Sequence, residues 1–177
     1  YYKVDGAKIN EQNSKLLQDD YVKFLRFAQW KIHKAGKGIV GMITNHGYLN
    51  NVTFPGMRQS LMKTFNEIYI IDLHGDSQKK EKAPDGSKDE NVFDITKGTA
   101  IAIFVKKPGA KGCNIFHRDI FGLREVKYNW LDSNEFKVKN YDRLKPETPW
   151  YFFFKRNIEH IKFYTKWLSI KEIFPTN

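Results

Sequence analysis

The chain has 177 residues, 41% of them hydrophobic, with 14 Phe and 9 Tyr, which is enough apolar material for one sizeable core and excludes a disordered tail. Thirty Lys and Arg against 20 Asp and Glu leave a formal charge of +10, which favours an anionic partner, nucleic acid being the commonest. The single cysteine, Cys113, excludes an internal disulfide and a cysteine-based zinc cluster; with no apolar run near about 18 residues and no signal peptide, the sequence reads as cytoplasmic with no membrane span.

The opening Tyr1-Tyr2-Lys3 lacks a methionine, so the chain is expected to be a piece of a longer protein. Residues 1–15 are polar and read as a loop. From Leu16 to about Lys34, Leu17, Tyr21, Phe24, Leu25, Ala28 and Ile32 recur at three- and four-residue intervals. That spacing predicts an amphipathic helix that starts near Asp19 and Asp20 and stops in Ala35-Gly36-Lys37-Gly38. The apolar run from Gly38 to Thr44 then predicts a buried strand. A polar loop, Asn45 to Asn51, follows at its C-terminal end, where open α/β sheets make ligand contacts; Asn45 and His46 are either such contacts or a hydrogen-bonded turn.

Pro55 opens a second predicted helix through Met57, Leu61, Met62 and Phe65. Glu67 to Leu73 reads as a second buried strand. Helix, strand, helix, strand in that order predicts a parallel strand pair in an α/β sheet. His74 to Glu90 is a long, slightly acidic polar loop of the kind that is functional or mobile in a compact domain. Thr99 to Val105 gives a third strand, expected to return antiparallel to the second.

Phe93 stands alone on the acidic loop before that strand, which carries no charge from Gly98 to Val105. A lone loop aromatic suits the presentation of a flat face to a nucleobase. It equally suits a loop anchored by its own Phe.

Residues 106–112 form a turn cluster, after which the texture changes. Residues 111–177 hold 13 Lys and Arg against 8 Asp and Glu and are rich in aromatics, including Trp130, Trp150, Tyr164 and Trp167. Within them, Trp150 to Phe154 read as core or a subunit contact, because five adjacent aromatics cannot all face one groove. Cys113 reads as a buried structural thiol at the start of a strand.

Residues 16–110 resemble the second half of the catalytic domain of N6-adenine DNA methyltransferases, above all those of type IIG and type ISP restriction-modification enzymes. The matching stretches, in order, are Tyr21 to Ala28, Gly38 to Leu49, Phe54 to Arg58, Ile68 to Gly75, and Asn91-Val92-Phe93 running into Gly98 to Val105. They cover a little over half the chain, and their order is more specific than any one of them.

The resemblance implies an α/β fold carrying the last three strands of a Rossmann-like, S-adenosylmethionine-dependent methyltransferase sheet, its final pair antiparallel, followed by an α+β recognition segment. It divides the chain into a loop (1–15), a partial catalytic domain (16–110) and a basic segment leading into a target-recognition domain (111–177). It also implies a prokaryotic, cytoplasmic setting, double-stranded DNA as partner, and dependence on the rest of a parent polypeptide. Phe93 then stands where the family stacks an aromatic on the flipped adenine. Tyr21 and Phe24 match the helix that edges the cofactor's adenine pocket, though their spacing also serves a plain core face. Arg118, Arg124, Lys127, Arg143, Lys145, Lys155 and Arg156 become candidates for DNA backbone contacts, which add salt-sensitive affinity but carry little sequence information.

Departures from the family pattern limit what this chain can do. It has no Gly-rich cofactor loop after a first strand and no acidic ribose ligand after a second. It has no Asn-Pro-Pro-Tyr, all six prolines standing alone. No catalytic residue is expected here, and S-adenosylmethionine is expected to bind the parent enzyme rather than this chain alone. Two other readings stay open: a non-catalytic DNA-binding or interaction module with a degenerate methyltransferase fold, and, more weakly, a metal-dependent nuclease. The second rests on Asp72, His74 and Asp76, with His46, spaced like metal ligands at a strand end; ordinary polar loop chemistry explains them as well, and no metal is expected.

Overall fold

The computed structural model describes residues 1–9 and 14–155, so the expectations for Arg156, Tyr164 and Trp167 fall outside the described residues. The first described element is a hairpin of β1 (Lys3–Val4) and β2 (Ala7–Lys8), where a loop was expected. Its turn residues Asp5 and Gly6 have φ of 50° and 84°, the double positive-φ conformation that an Asp-Gly dipeptide favours. The tip is tied to the second helix by Asp5 N–H donating to Gln59 Oε1 at 3.1 Å.

A 3-10 turn (Ser14–Gln18) leads into α1 (Asp20–Ala35), which ends on Gly36 in the left-handed conformation at φ 74°. The buried side chains of α1 are Val22, Leu25 and Gln29. The inward stripe is therefore rotated from the one predicted, and Phe24 is 63% exposed. Gln29 explains the rotation. It donates to Ser60 O at 2.9 Å and Thr64 Oγ1 at 2.7 Å and accepts from Tyr1 Oη at 2.9 Å, so a polar residue marks the centre of the buried face.

The remaining elements are β3 (Gly38–Asn45), a single turn α2 (Gly47–Asn50), α3 (Pro55–Thr64), β4 (Glu67–His74), β5 (Thr99–Lys106), β6 (Asn114–Asp119), α4 (Arg124–Ser133) and β7 (Asp142–Leu144). They form a mixed five-stranded sheet in the order β3-β5-β4-β6-β7. β5 runs antiparallel to both β3 and β4, β4 and β6 are parallel, and β7 closes antiparallel on β6. The antiparallel return of β5 onto β4 matches the sequence reading. The expected parallel pairing of β3 with β4 does not occur. The two strands point the same way, but β5 enters the slot between them, brought back by the long connection after His74. The sheet also runs through the 110/111 division, since β6 pairs directly with β4.

One face of the sheet, with Ile68, Ile70, Ala100, Ala102, Phe104 and Ile115, packs beneath α1 and α3 on Leu25, Met57, Leu61 and Phe65. On the other face, Trp130 and Leu131 of α4 and Ile71 and Ile101 of the sheet pack against Leu73, Val92 and Ile120, and Tyr69 stacks on Phe116 at 5.0 Å. The β3–β5 half of that face leaves Ile39, Ile43 and Ile103 exposed, and the outer edge of β3 has no strand partner among the described residues. Of the aromatic run, Phe153 is core and its N–H donates to Leu49 O at 2.9 Å. The preceding turn is fastened by the fully buried Arg58 guanidinium, which donates to Trp150 O (2.9 and 2.6 Å), Tyr48 O (2.7 Å) and Asn51 O (2.9 Å). Burial pulls its pKa down to about 9. Among the described residues no helix is long and apolar enough to cross a membrane.

Candidate functional site

The polar residues of the sequence reading converge where β3 and β4 end. Asp72, the last regular residue of β4, accepts from His46 Nδ1 at 2.9 Å and from the His74 N–H at 3.0 Å through one oxygen. The β4–β5 register slips between Asp72 and His74, and His74 takes φ 52°, a costly conformation for a residue with a Cβ. Its ring is what holds it there. Nδ1 lies 2.8 Å from Glu81, Nε2 lies 2.8 Å from Asp119, and the ring stacks on Phe121 at 3.9 Å. Burial of the ring opposes its protonation, but the bonds to Asp119 and Glu81 and the charge of Asp72 outweigh it and push the pKa up to about 9. Burial likewise opposes ionisation of Glu81, yet its bond to His74 prevails and holds it down at about 2.

His46 is buried behind this cluster, with its Nε2 3.6 Å from Asp76 and without a hydrogen bond. Asn45 accepts from the Gly47 N–H at 2.6 Å and so turns the chain into α2. Two overlapping trios, His46-Asp72-His74 and Asp72-His117-Asp119, bring ligand atoms within 4.8 Å of one another. In the first trio, however, Asp72 Oδ1 and both His74 nitrogens are already committed to protein partners.

The loop that carries Phe93 crosses directly over Gly75. A Cβ there would stand 2.5 Å from Asn91 Cα, so only glycine, here at φ 80°, allows the approach. Asn91 organises the loop: its side-chain amide donates to Gly75 O (3.2 Å) and Lys97 O (2.6 Å), while its oxygen accepts from the Phe93 N–H (2.9 Å). Asn91 and Val92 are buried; Phe93, the next residue, is 43% exposed.

The candidates for DNA contact are placed very differently from one another. Lys127 is fully buried: its ammonium donates to Leu73 O (2.6 Å) and Glu90 O (2.5 Å) and pairs with the equally buried Asp89 (2.8 Å), so all three N–H groups face inward. Arg124 is half-buried and reaches Asn91 O (2.9 Å) and Asp94 (2.6 Å). Arg118 donates to Asn140 O at 2.7 Å and lies over the Trp130 ring. Arg143, Lys145 and Lys155 are exposed, Lys155 pairing with Asp142 at 3.1 Å. Tyr21 is half-buried against Tyr48 and Phe54 (6.3 and 6.5 Å), whereas the Phe24 ring faces outward.

The sequence reading missed Asn91, Asp89 and Tyr128 as loop-fixing residues. The Asn91-x-Phe93 spacing was a usable signal for an Asx turn. Nothing local in the sequence ties residues 89–94 to α4.

No protein-family model and no curated protein sequence matches the chain. Its fold is similar to several solved structures. One is a DrdV–DNA complex solved by cryo-electron microscopy, with a TM-score of 0.68 and 28% identity over 78% of this chain and 14% of that one. A second is the ATP-dependent type ISP restriction-modification enzyme LlaBIII bound to DNA, with a TM-score of 0.69 and 25% identity over 86% of this chain and 10% of that one. A nuclease-deletion mutant of the type ISP restriction-modification enzyme LlaGI, in complex with a DNA substrate mimic, shares the fold alone, with a TM-score of 0.71 and 24% identity over 86% of this chain and 12% of that one. The chain thus spans only a small part of each structure it resembles.

Proposed function

We propose that this chain is part of a DNA restriction-modification enzyme, and that it supplies one wall of the pocket that receives a flipped adenine during N6 methylation, together with part of the DNA cleft. The observation that carries the reading is the setting of Phe93, an exposed ring on a loop, directly following the buried, hydrogen-bonded Asn91 and Val92. Such a loop can stack on an extrahelical base without being ordered first, which offsets part of the few kcal/mol, roughly, that flipping costs. The likeness to a DrdV–DNA complex and to a type ISP restriction-modification enzyme bound to DNA, and the charge of +10, support DNA as the partner.

The reading makes the chain inactive alone. When bound, S-adenosylmethionine would supply the methyl group. Tyr21 and Phe24 could border its adenine, but the chain has no Gly-rich loop to cradle the cofactor and no Asn-Pro-Pro-Tyr to hold the target amino group. The residues present do not make up its site. The rest of a parent polypeptide would bring those groups and cover the bare edge of β3 and the exposed Ile39, Ile43 and Ile103.

The test is Phe93→Ala in the intact parent enzyme. The expected result is slower methyl transfer and weaker discrimination against other bases, with cofactor binding retained. Unchanged turnover would remove Phe93 from the site.

A further inference from the structure

We infer that α4 is the positioning element of the Phe93 loop, with Arg124 and Tyr128 holding the backbone in the conformation that offers the ring to a base; the inference rests on the reading of Phe93 given above. Three successive loop carbonyls each receive a donor from a single face of α4. Glu90 O accepts from Lys127 Nζ at 2.5 Å, Asn91 O from Arg124 Nε at 2.9 Å, and Val92 O from Tyr128 Oη at 2.5 Å. Positions 124, 127 and 128 are three and four residues apart, so a helix presents them side by side.

The contact continues past Phe93, because the Arg124 guanidinium also reaches Asp94 at 2.6 Å. It is reciprocal as well. Glu90 accepts from the backbone N–H of Arg124 at 3.1 Å, and Asp89 accepts from the Gly122 N–H at 2.7 Å, so the loop's carboxylates cap the start of the helix that grips it. Residues 89 to 92 and residue 94 are all bonded to the segment from Gly122 to Tyr128. Phe93 is the residue between them that this segment leaves untied.

Loop carbonyls normally face water, and a solvated loop retains much of its conformational freedom. Ordering each residue costs backbone entropy. Here that ordering is built into the folded chain, so a base meets a wall already in place. Arg124, which the sequence offered as a phosphate contact, serves as a brace for the loop. Tyr128 contributes through its hydroxyl alone.

The test uses the intact parent enzyme carrying Phe93→Ala, Tyr128→Phe or Arg124→Gln. Two measurements are made: amide hydrogen exchange over residues 91–95, and quenching of 2-aminopurine placed opposite an abasic site in a DNA duplex, titrated to saturation. Tyr128→Phe removes one O–H and keeps the ring, so its fold is retained even if Arg124→Gln proves unstable. Phe93→Ala is expected to abolish the saturating quench with exchange near wild type outside residue 93. Tyr128→Phe and Arg124→Gln are expected to speed exchange on the order of tenfold and to cut the saturating quench roughly in half, whereas an exposed basic control, Lys145→Gln, shifts only the affinity.

Wild-type exchange in Tyr128→Phe, or faster exchange with a full quench, overturns the positioning role and leaves the Phe93 reading standing. A wild-type parent enzyme that does not quench the probe, or a Phe93→Ala variant that still does, overturns the Phe93 reading and the positioning role with it.

Discussion

His46 and Gly98 are packed so closely that a Cβ on Gly98 would stand 2.5 Å from the His46 ring at Nε2, while the His46 N–H donates to Gly98 O at 2.9 Å. The ring cannot swing away, because its Nδ1 is bonded to Asp72 in the buried cluster. Gly98→Ala is therefore expected to destabilise the fold by about 1–3 kcal/mol through overpacking. Gly41→Ala is the control, since nothing lies within 4 Å of a Cβ at that strand position. Thermal denaturation of the two variants side by side should show a lower Tm for Gly98→Ala alone.

The His74 cluster gives the chain a defined pH dependence. His74 is raised from 6.5 to about 9, so its stabilising contribution is complete below 6.5 and disappears as the pH rises through about 9. Glu81 is lowered from 4.5 to about 2, so its contribution is present above 4.5 and disappears as the pH falls through about 2. For this pair, stability is expected to be greatest between about 4.5 and 6.5 and to decline by about 1–3 kcal/mol by the alkaline end. His74→Gln should flatten the alkaline decline in urea titrations run at a series of pH values. An unaltered slope would show that His74 is not the group responsible.

Arg58 joins α3 to the return of the chain at Trp150. Replacing it by Met, of similar length, would remove the guanidinium donors of the Tyr48 and Trp150 carbonyls and leave Asn51 O with the Phe54 N–H. At about 1.5–3 kcal/mol for a hydrogen bond to a charged group, Arg58→Met should cost at least about 3 kcal/mol in chemical denaturation. Arg58→Lys should recover only part of it, because one ammonium cannot reproduce the planar fork that holds Trp150 O at two nitrogens.

Cys113 is expected to be a slow thiol. Burial, with a smaller effect from Glu67, pushes its pKa up to about 12, so the reactive thiolate is scarce at neutral pH. Alkylation at pH 8 should be far slower than for a free thiol and should accelerate in denaturant.

The sequence was most legible where the signal is local. The extents of α1, β3, α3, β4 and β5 follow from apolar periodicity and from Pro and Gly boundaries, and they agree with the structure. Strand order was not legible. The βαβ pattern around β3 and β4 is silent about a later strand that inserts between them. The helix face of α1 was misjudged because Gln29 is inside and Phe24 outside, the reverse of what hydrophobicity suggests. Lys127 reads in sequence as a surface cation; its burial depends on Asp89 and the Glu90 carbonyl of a loop more than thirty residues earlier, and on the Leu73 carbonyl of β4. The Asp5-Gly6 dipeptide, in contrast, was a readable hairpin signal that the polar composition of the N-terminal residues obscured.

The strand order also bears on how the chain assembles. Gly38 pairs with Lys106, and Glu67 pairs with both Val105 and Asn114, so no strand of the central sheet finds its partner across a tight turn. Each ladder requires the closure of a long loop before its hydrogen bonds can form, which places this topology among the slower folders. During synthesis, β4 emerges apolar and complete while neither of its neighbours, β5 nor β6, has yet been made. Until Lys106 leaves the ribosome both of its edges are open to foreign strands, and one stays open until Asp119 follows, so the nascent chain is most exposed to aggregation in that interval.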